Sequence, residues 1–383
     1  MDEYRFKSRV WRTACFLLLP AARRVLGLEM EPLPAGGPYL VVCNHVTNLD
    51  PLMLAAATPR KSLTFIASEN ILRLHPRLRG ALFASFDAIL RRKGASGAKT
   101  ALQALRALRA GRNVCVFAEG ETSWNGLTEK IQEGTASLLR ASGAGLVTYR
   151  IHGGYFTWPR WADGLRRGRV RGVVAGVHPA SALGEMSPDE INGLIQREIS
   201  EDAFADQRKE RVPYRGKKRA QSVSSLLFLC PRCRGIGTLR GDGNDIRCSC
   251  GLDVRLNECL LPEGDAPFAD LSEWDRWQRE AFASMAAEGA SLREDRDDLT
   301  LWRIPPEGAP VVAAAGSLAM DRDFLTVGKS RFPLGRIRDL ALLQNKKLAF
   351  SFDDLYYELH APSPLCLRKY LLYWRQVRDG ACP

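Results

Sequence analysis

Two short polar segments of the chain carry residues suited to moving a proton. His45 and Asp50 follow an apolar run at 39–43, and Glu119 directly follows another at 113–118. Imidazole titrates near neutral pH, so His45 can act as a general base. A carboxylate held beside it, here Asp50, would fix its tautomer and stabilise the imidazolium ion. The pair therefore predicts general-base chemistry, provided that His45 lies in a turn and Asp50 at the start of a helix.

The same residues also have ordinary structural interpretations. Asp50 precedes Pro51, and Asp at that position is a common helix cap, a role that can coexist with catalysis. His45 can be a buried histidine with satisfied hydrogen bonds. Cys43 lies beside the pair and is a potential nucleophile, but it belongs to an apolar run, so we expect a buried structural thiol.

Four cysteines form a second candidate site with the spacing of a metal-binding module. Cys230 and Cys233 make one knuckle, and Cys248 and Cys250 follow after fourteen residues. Four thiolates on two knuckles suit tetrahedral Zn²⁺, and Gly-Asp-Gly-Asn between them is typical of a hairpin turn. The pattern contains no histidine or carboxylate that suggests an open catalytic position, so we expect a structural zinc ribbon. Two alternatives stay open: Cys259 can replace one ligand, and the cysteines can be reduced and metal-free.

Strands that alternate with helices must position the first site. Four apolar runs predict buried strands, at 39–43, 113–118, 145–151 and 170–177. One helix is predicted to begin at Asp50, and 99–110 has helical periodicity. This alternation indicates an α/β sheet with covered faces. Ligands bind at the carboxyl ends of strands in such sheets, so we expect His152 and His178, which follow two of the runs, at the same edge as His45.

In these segments the chain resembles the glycerolipid, or lysophosphatidate, acyltransferases. The first block of that family is Asn-His, four residues and Asp, which Asn44, His45 and Asp50 match. The third block is matched at Phe117, Glu119, Gly120 and Ser123. A looser second block at 86–92 makes Arg92 the equivalent of the family's arginine. The blocks keep the family's order and spacing, and the resemblance covers about residues 35–180.

The resemblance implies direct acyl transfer in phospholipid biosynthesis or remodelling. His45, oriented by Asp50, would deprotonate an acceptor hydroxyl, which attacks the thioester of acyl-coenzyme A or acyl carrier protein. The acceptor would be a lysophospholipid, foremost 1-acylglycerol-3-phosphate, and Arg92 would hold its phosphate. The remaining matched residues would shape the acceptor site: Asn44, Glu119, Gly120 and Ser123.

Departures from the family pattern bear on the acceptor more than on the reaction. Ala118, Glu121 and Thr122 stand where the third block usually has Pro, Thr and Arg. Arg150 or Arg160 can supply the missing charge, because guanidinium binds phosphate bidentately. A different lipid acceptor, or an inactive lipid-binding scaffold, are therefore the alternatives.

Composition and charge agree with an enzyme that meets an anionic partner. The 383 residues are 45% hydrophobic and 26% charged, which excludes wholesale disorder and fibrous classes. The net charge is +12, and the positive excess lies before residue 220. A membrane, a nucleic acid or a phosphorylated substrate would suit such a surface. The half with the cysteine module is slightly acidic, which disfavours nucleic acid, and the ten cysteines do not form a secreted disulfide framework, which indicates a reducing cytosolic compartment.

The first residues predict an amphipathic helix rather than a membrane span. The apolar run 14–22 is too short to cross a bilayer. Apolar side chains would enter the interface of an anionic membrane, at Trp11, Phe16, Leu17 and Leu18, while the neighbouring arginines and Lys7 meet the headgroups. We expect peripheral or monotopic attachment at the cytoplasmic face of the cell membrane. Packing of this helix on the protein's own core is the alternative, and a signal peptide is a weaker one.

These observations divide the chain into five parts. Residues 1–34 would be the membrane-associating helical segment and 35–220 the acyltransferase-type α/β domain. A zinc-ribbon-like module at 221–262 and a connecting helix within 263–298 follow. Short strands and a final amphipathic helix predict a small β-rich module at 299–383.

Overall fold

A computed structural model of the chain describes residues 2–58, 63–69, 87–91, 97–305, 307–343, 347–361 and 365–379. The contacts divide it into two compact units. The first comprises Met1–Arg160 and Leu165–Gly216, and the second Trp161–Gly164 and Lys217–Pro383. The finer five-part division stays a prediction.

The first unit alternates strands and helices along the chain. Its strands are β1 Leu28–Met30, β2 Tyr39–Cys43, β3 Thr64–Ser68, β4 Asp87–Arg91, β5 Val114–Phe117, β6 Gly145–His152 and β7 Val170–His178. Its helices are α1 Asp2–Leu26, α2 Asp50–Ala57, α3 Ala98–Arg109, α4 Thr135–Ser142, α5 Gly154–Thr157, α6 Ala180–Gly184, α7 Pro188–Ile199 and α8 Ala203–Glu210. The predicted mixed α/β class is confirmed.

The seven strands form one sheet in the order β1-β7-β6-β2-β5-β3-β4. All neighbouring pairs are parallel except β6 and β7. In register, Cys43 of β2 lies between Phe117 of β5 and Tyr149 of β6. The segments that follow these three strands therefore begin at the same edge of the sheet.

One prediction about this edge is wrong. Because β7 runs antiparallel to β6, His178 lies opposite Leu146, near the start of β6. His178 therefore sits at the other end of the strands from the segment that carries His45. His152, the last residue of β6, does lie at the expected edge.

An apolar core packs helices α3, α4 and α7 against one face of the sheet. Leu40, Val114 and Leu146 contribute from the strands. Helix α7 contributes residues four apart, which share one face: Ile191, Ile195 and Ile199. This helix starts with a capping box, in which Ser187 and Glu190 each bond the other's backbone N–H.

Helix α1 runs through Pro20 to Leu26 and exposes apolar side chains. Phe6 is 63% exposed and Leu17 is 65% exposed, whereas Leu19 and Leu26 are buried. Arg9, Arg23 and Arg24 are also exposed. Among the described residues, no helix combines the length and apolar character that crossing a bilayer requires.

The second unit is rich in short antiparallel strands. A four-stranded sheet follows the first two cysteines, with β8 Leu239–Asp242, β9 Asp245–Cys248, β10 Asp253–Leu256 and β11 Pro262–Gly264. After α9 Leu271–Ala287 come β12 Leu292–Glu294, β13 Thr300–Ile304, β14 Val311–Ala315, β15 Leu318–Met320, β16 Phe324–Val327, β17 Ser330–Pro333, β18 Arg338–Leu343, β19 Lys347–Phe352, β20 Leu355–His360 and α10 Arg368–Asp379. These strands form two sheets, β12-β15-β16-β17 and β14-β13-β20-β19-β18.

A buried ion pair joins the two long helices of the second unit. Asp275 of α9 is fully buried and Arg368 of α10 is 4% exposed, with Arg368 Nη2 2.9 Å from Asp275 Oδ2. Gln278 Nε2 donates to the other carboxylate oxygen at 2.7 Å. Burial by itself would raise the pKa of Asp275, but the charge and hydrogen bonds of Arg368 outweigh burial and lower it.

Replacing Asp275 with Asn should destabilise the second unit by about 3–5 kcal/mol, because Arg368 is left buried without a counter-charge. Since the folded-state pKa of Asp275 is depressed, its stabilising contribution is present at neutral pH. It is lost as the pH falls below the ordinary range of an aspartate. Chemical denaturation between neutral and acid pH should show this loss in the wild type and a weaker one in the variant. Asp265→Asn is the control, because its ion pair with Arg232 is exposed and should contribute under about 1 kcal/mol. Equal stability of the two variants would contradict the prediction.

Candidate active site

The predicted general base and its predicted carboxylate partner lie in contact. His45 lies in the turn after β2, and its Nδ1 is 2.7 Å from Asp50 Oδ2. A neutral imidazole that donates from Nδ1 keeps its basic lone pair on Nε2. His45 is partly exposed, with a side chain that is 18% accessible to solvent. The geometry therefore suits a general base that can be reached by a substrate.

Asp50 is held by the turn rather than acting as a conventional helix cap. It is the first residue of α2, and Leu49 occupies the cap position without a side-chain bond. Oδ2 of Asp50 accepts the backbone N–H groups of Val46 at 2.8 Å and Thr47 at 3.1 Å. The cap-only interpretation of Asp50 is thus wrong, and its carboxylate instead fixes the turn that carries His45.

The carboxylate of Asp50 is fully enclosed. Asp50 is 0% exposed, and within the described part of the chain its Oδ1 makes no hydrogen bond. Burial raises the pKa of Asp50, while His45 and the two backbone donors act in the opposite direction. The helix N-terminus also favours a negative charge at this position. A negative charge so placed is poised to stabilise an imidazolium at His45.

Glu119 ties the two predicted blocks together. Its Oε1 accepts the backbone N–H of His45 at 2.6 Å, and its Oε2 accepts the backbone N–H of Glu129 at 2.7 Å. Glu119 is only 5% exposed, and burial raises the pKa of its carboxyl group to about 8. Both carboxylate oxygens are thus engaged by the protein itself.

Asn44 performs a similar task on the other side of β2. Its Nδ2 donates to the carbonyl of Ile151 at 3.0 Å, and its Oδ1 accepts the N–H of Ile151 at 2.8 Å. The residue is 0% exposed. This pair of bonds fixes the end of β2 to the end of β6, directly before His45 leaves the sheet.

Gly120 and Ser123 shape the loop after β5. Gly120 has φ +77°, and a Cβ there would lie 2.2 Å from Gln132 Nε2, so the position needs glycine. The backbone N–H of Ser123 donates to the carbonyl of His45 at 2.7 Å. Ser123 Oγ donates to the carbonyl of Leu127 at 2.7 Å and accepts the N–H of Gly126 at 2.9 Å. Acceptor binding by these residues stays a prediction, since the described contacts lie within the protein.

Two neighbours of His45 support its placement. The ring of Phe117 stacks on His45, with centroids 4.3 Å apart and planes 20° apart. Cys43 is 0% exposed, and burial raises the pKa of its thiol far above the ordinary value. A thiolate nucleophile at Cys43 is therefore disfavoured, which agrees with the expected structural role.

The predicted phosphate-binding arginine, Arg92, lies outside the described residues. Of the two possible replacements, Arg150 donates through Nε to the carbonyl of Glu198 at 2.9 Å. Arg160 donates through Nη1 to Glu121 Oε2 at 2.8 Å and lies over the ring of Trp124. In the loop after β5, Glu121 and Thr122 stand where the family has threonine and arginine. The ion pair between Glu121 and Arg160 was not predicted from the sequence.

The four predicted cysteines converge in the second unit. Their Sγ atoms all lie within 4.8 Å of one another, and two pairs are 3.7 Å apart, Cys230 with Cys250 and Cys233 with Cys248. Cys259 is not part of this group within the described residues. The alternative in which Cys259 replaces a ligand is therefore unnecessary.

Part of the chain is similar to a known protein family and to solved structures. Residues 26–152 match the family model described as Acyltransferase. The crystal structure of the 1-acyl-sn-glycerophosphate (LPA) acyltransferase from Thermotoga maritima aligns with 17% identity and a TM-score of 0.40, over 55% of this chain and 80% of that chain. No curated protein matches the sequence. The matched segment includes β2, β5, His45, Asp50 and Glu119. Residues 26–152 are therefore similar to the acyltransferase family, whose glycerolipid-acylating members the chain resembles in its polar segments.

Proposed function

We propose that the protein transfers a fatty acyl group from a thioester donor to a hydroxyl group of a lysophospholipid. The observation that carries the proposal is the 2.7 Å contact between His45 Nδ1 and the buried carboxylate of Asp50. It leaves Nε2 as the basic atom of a partly exposed imidazole that follows a strand of the sheet. The acyltransferase family of residues 26–152 supplies the reaction class.

The reaction proceeds by direct attack. His45 Nε2 takes the proton of the acceptor hydroxyl as its oxygen bonds to the thioester carbonyl carbon. The tetrahedral intermediate then expels the thiolate of coenzyme A or acyl carrier protein, and the imidazolium returns its proton to that sulfur. Asp50 stabilises the imidazolium during both steps. The acyl group never resides on the protein, in keeping with the burial of Cys43.

The acceptor in this proposal is 1-acylglycerol-3-phosphate, with Arg92 as the phosphate-binding residue, and the donor is acyl-coenzyme A or acyl carrier protein. Another lipid acceptor is the alternative. Glu121 and Thr122 stand where the family has Thr and Arg, and Arg160 is already paired with Glu121. The exposed Phe6 and Leu17 of α1, together with exposed arginines, support peripheral docking on an anionic membrane.

We propose further that the cysteine group binds one structural Zn²⁺. Tetrahedral Zn–S bonds of about 2.3 Å place sulfur atoms about 3.8 Å apart, close to the 3.7 Å of both pairs. Arg234 and Gly251, which directly follow the two knuckles, both have positive φ. Zn²⁺ bound there would cross-link the knuckles that flank β8 and β9.

Thiol release from acyl-coenzyme A, measured with protein on phospholipid vesicles, tests the function. We expect release that depends on added lysophosphatidate, because the thiol leaves only when an acceptor hydroxyl attacks. Mass spectrometry of the lipid should show phosphatidate as the product. A panel of other lysolipids, with acyl carrier protein as a second donor, identifies a different acceptor or donor. No thiol release with any acceptor or donor of the panel would contradict the enzyme proposal and favour a lipid-binding scaffold.

A further inference from the structure

A second cluster of polar side chains lies in the first unit. His152 ends β6, Glu201 lies between α7 and α8, and Asp206 lies in the first turn of α8. One ligand atom from each side chain lies within 4.8 Å of the others. From this cluster we propose that His152, Glu201 and Asp206 bind a divalent transition-metal ion, independently of the acyl-transfer proposal.

The hydrogen bonding of the cluster is incomplete in a way that a cation would complete. Glu201 has a side chain only 3% exposed, yet its Oε1 makes no hydrogen bond with any residue that the structure describes. His152 Nδ1 is 2.8 Å from Glu201 Oε2 and 3.4 Å from Asp206 Oδ2, so all three side chains face one another. Buried polar atoms without partners are costly and uncommon in folded proteins. A metal ion bound by the Glu201 carboxylate would compensate for this buried, unpartnered oxygen.

The backbone holds Glu201 firmly before any ligand arrives. Its N–H donates to Thr128 Oγ1 at 2.9 Å, and its carbonyl accepts the N–H of Thr128 at 3.0 Å. The next residue, Asp202, caps α8 by accepting the N–H of Ala205. The position of the buried carboxylate is therefore set by the fold, which lowers the cost of ordering a metal site.

The cavity beside the cluster favours a cation. It has a volume of about 30 Å³, room for an ion and a water molecule. Three carboxylates and two guanidinium groups line it, so the charge of the lining is net negative with neutral imidazole: Glu201, Asp206, Glu210, Arg169 and Arg171. Arg169 is paired with Glu210. An anion would face the buried carboxylate of Glu201 instead.

The donor set selects the class of metal. Imidazole suits transition metals, whereas carboxylates suit harder ions including Mn²⁺. One nitrogen and two carboxylate groups fit Mn²⁺ or Zn²⁺, with water completing the coordination. Mn²⁺ is the more useful probe, because thiolate groups such as the cysteine cluster select softer metals.

Titration of the full-length protein, which carries one equivalent of zinc for the cysteine group and no excess, with Mn²⁺, followed by the electron paramagnetic resonance of free Mn²⁺, tests the site. We expect one bound Mn²⁺ and at least about tenfold weaker affinity in His152→Ala and Glu201→Gln. Asp206→Asn should also weaken binding, and this side chain is half-exposed, so its replacement should preserve the fold. Mn²⁺ should raise the unfolding temperature of the wild type more than that of each variant.

His178→Ala is the matched control. It is another strand-terminal histidine beside a carboxylate, but His178 Nε2 already bonds both oxygens of Glu198 at 3.0 Å. This variant should bind Mn²⁺ as the wild type does. Absence of Mn²⁺ binding to the wild type up to millimolar concentration would overturn the proposal, as would unchanged affinity in folded Asp206→Asn and Glu201→Gln.

Discussion

His45→Ala should lower kcat for acyl transfer by about a hundredfold or more, because the variant has no group to take the proton of the acceptor hydroxyl. The loss should fall on kcat rather than on the KM for lysophosphatidate, since His45 is not the group proposed to hold the phosphate. Thiol release with varied acceptor concentration separates the two quantities. A variant with nearly normal kcat would contradict the assignment of His45 as base.

Asp50→Asn should cause a comparable loss for a different reason. Asparagine retains an oxygen that can accept the N–H groups of Val46 and Thr47, so the turn can persist. It removes the charge that stabilises the imidazolium at His45, whose Nδ1 contacts the same carboxylate oxygen as those two N–H groups. Because the two residues act as a unit, the double variant should be little slower than His45→Ala alone. Additive losses would mean that Asp50 acts separately from His45.

His178→Ala is again the control for a general effect of removing a histidine. His178 lies at the opposite end of the strands, beside Leu146 in register. Its activity should equal that of the wild type. A large loss in this variant would indicate that such substitutions disturb the sheet, and the His45 result would then need the conservative variant His45→Gln to support it.

The contact between His45 and Asp50 was predictable because it is local. Both residues follow one buried strand, and the Asp-Pro pair marks where the helix begins, so five residues suffice to bring them together. The strands at 39–43, 113–118 and 145–151 could likewise be predicted, because each is a run of apolar side chains. Their parallel arrangement then places the ends of these strands at one edge of the sheet.

The errors and omissions depend on longer-range information. An apolar run has the same composition whichever way the strand runs. The antiparallel direction of β7 and the position of His178 could therefore not be predicted from the sequence. Glu119 meets the backbone N–H of His45 across 74 positions of sequence. Which backbone group a carboxylate reaches is decided by the folded sheet, and for this reason its contacts with the turn could not be predicted from the matching block.

Cys248→Ser should abolish zinc binding by the cysteine group and unfold the ribbon around β8, β9 and β10. Structural zinc contributes about 10–16 kcal/mol of apparent binding free energy in small modules at neutral pH, more than a sheet of such short strands can supply without it. Metal analysis by mass spectrometry measures the stoichiometry. Hydrogen exchange localises the unfolding, which should be strongest between Cys230 and Gly264.

Cys259→Ser distinguishes a ligand from a neighbouring thiol. Cys259 lies close in sequence to the ribbon but outside the four-cysteine group, so this variant should keep its zinc and its protection from exchange. His152→Ala should likewise keep the cysteine-bound zinc, because its cluster belongs to the first compact unit. Wild-type protein that contains no zinc after zinc-supplemented expression, and whose ribbon exchanges equally with and without a chelator, would contradict the structural role. In that case the 3.7 Å sulfur contacts would describe reduced thiols packed together. If Cys248→Ser loses the cysteine-bound zinc while Cys259→Ser and His152→Ala keep it, the folding of the two knuckles depends on the zinc ion that they bind.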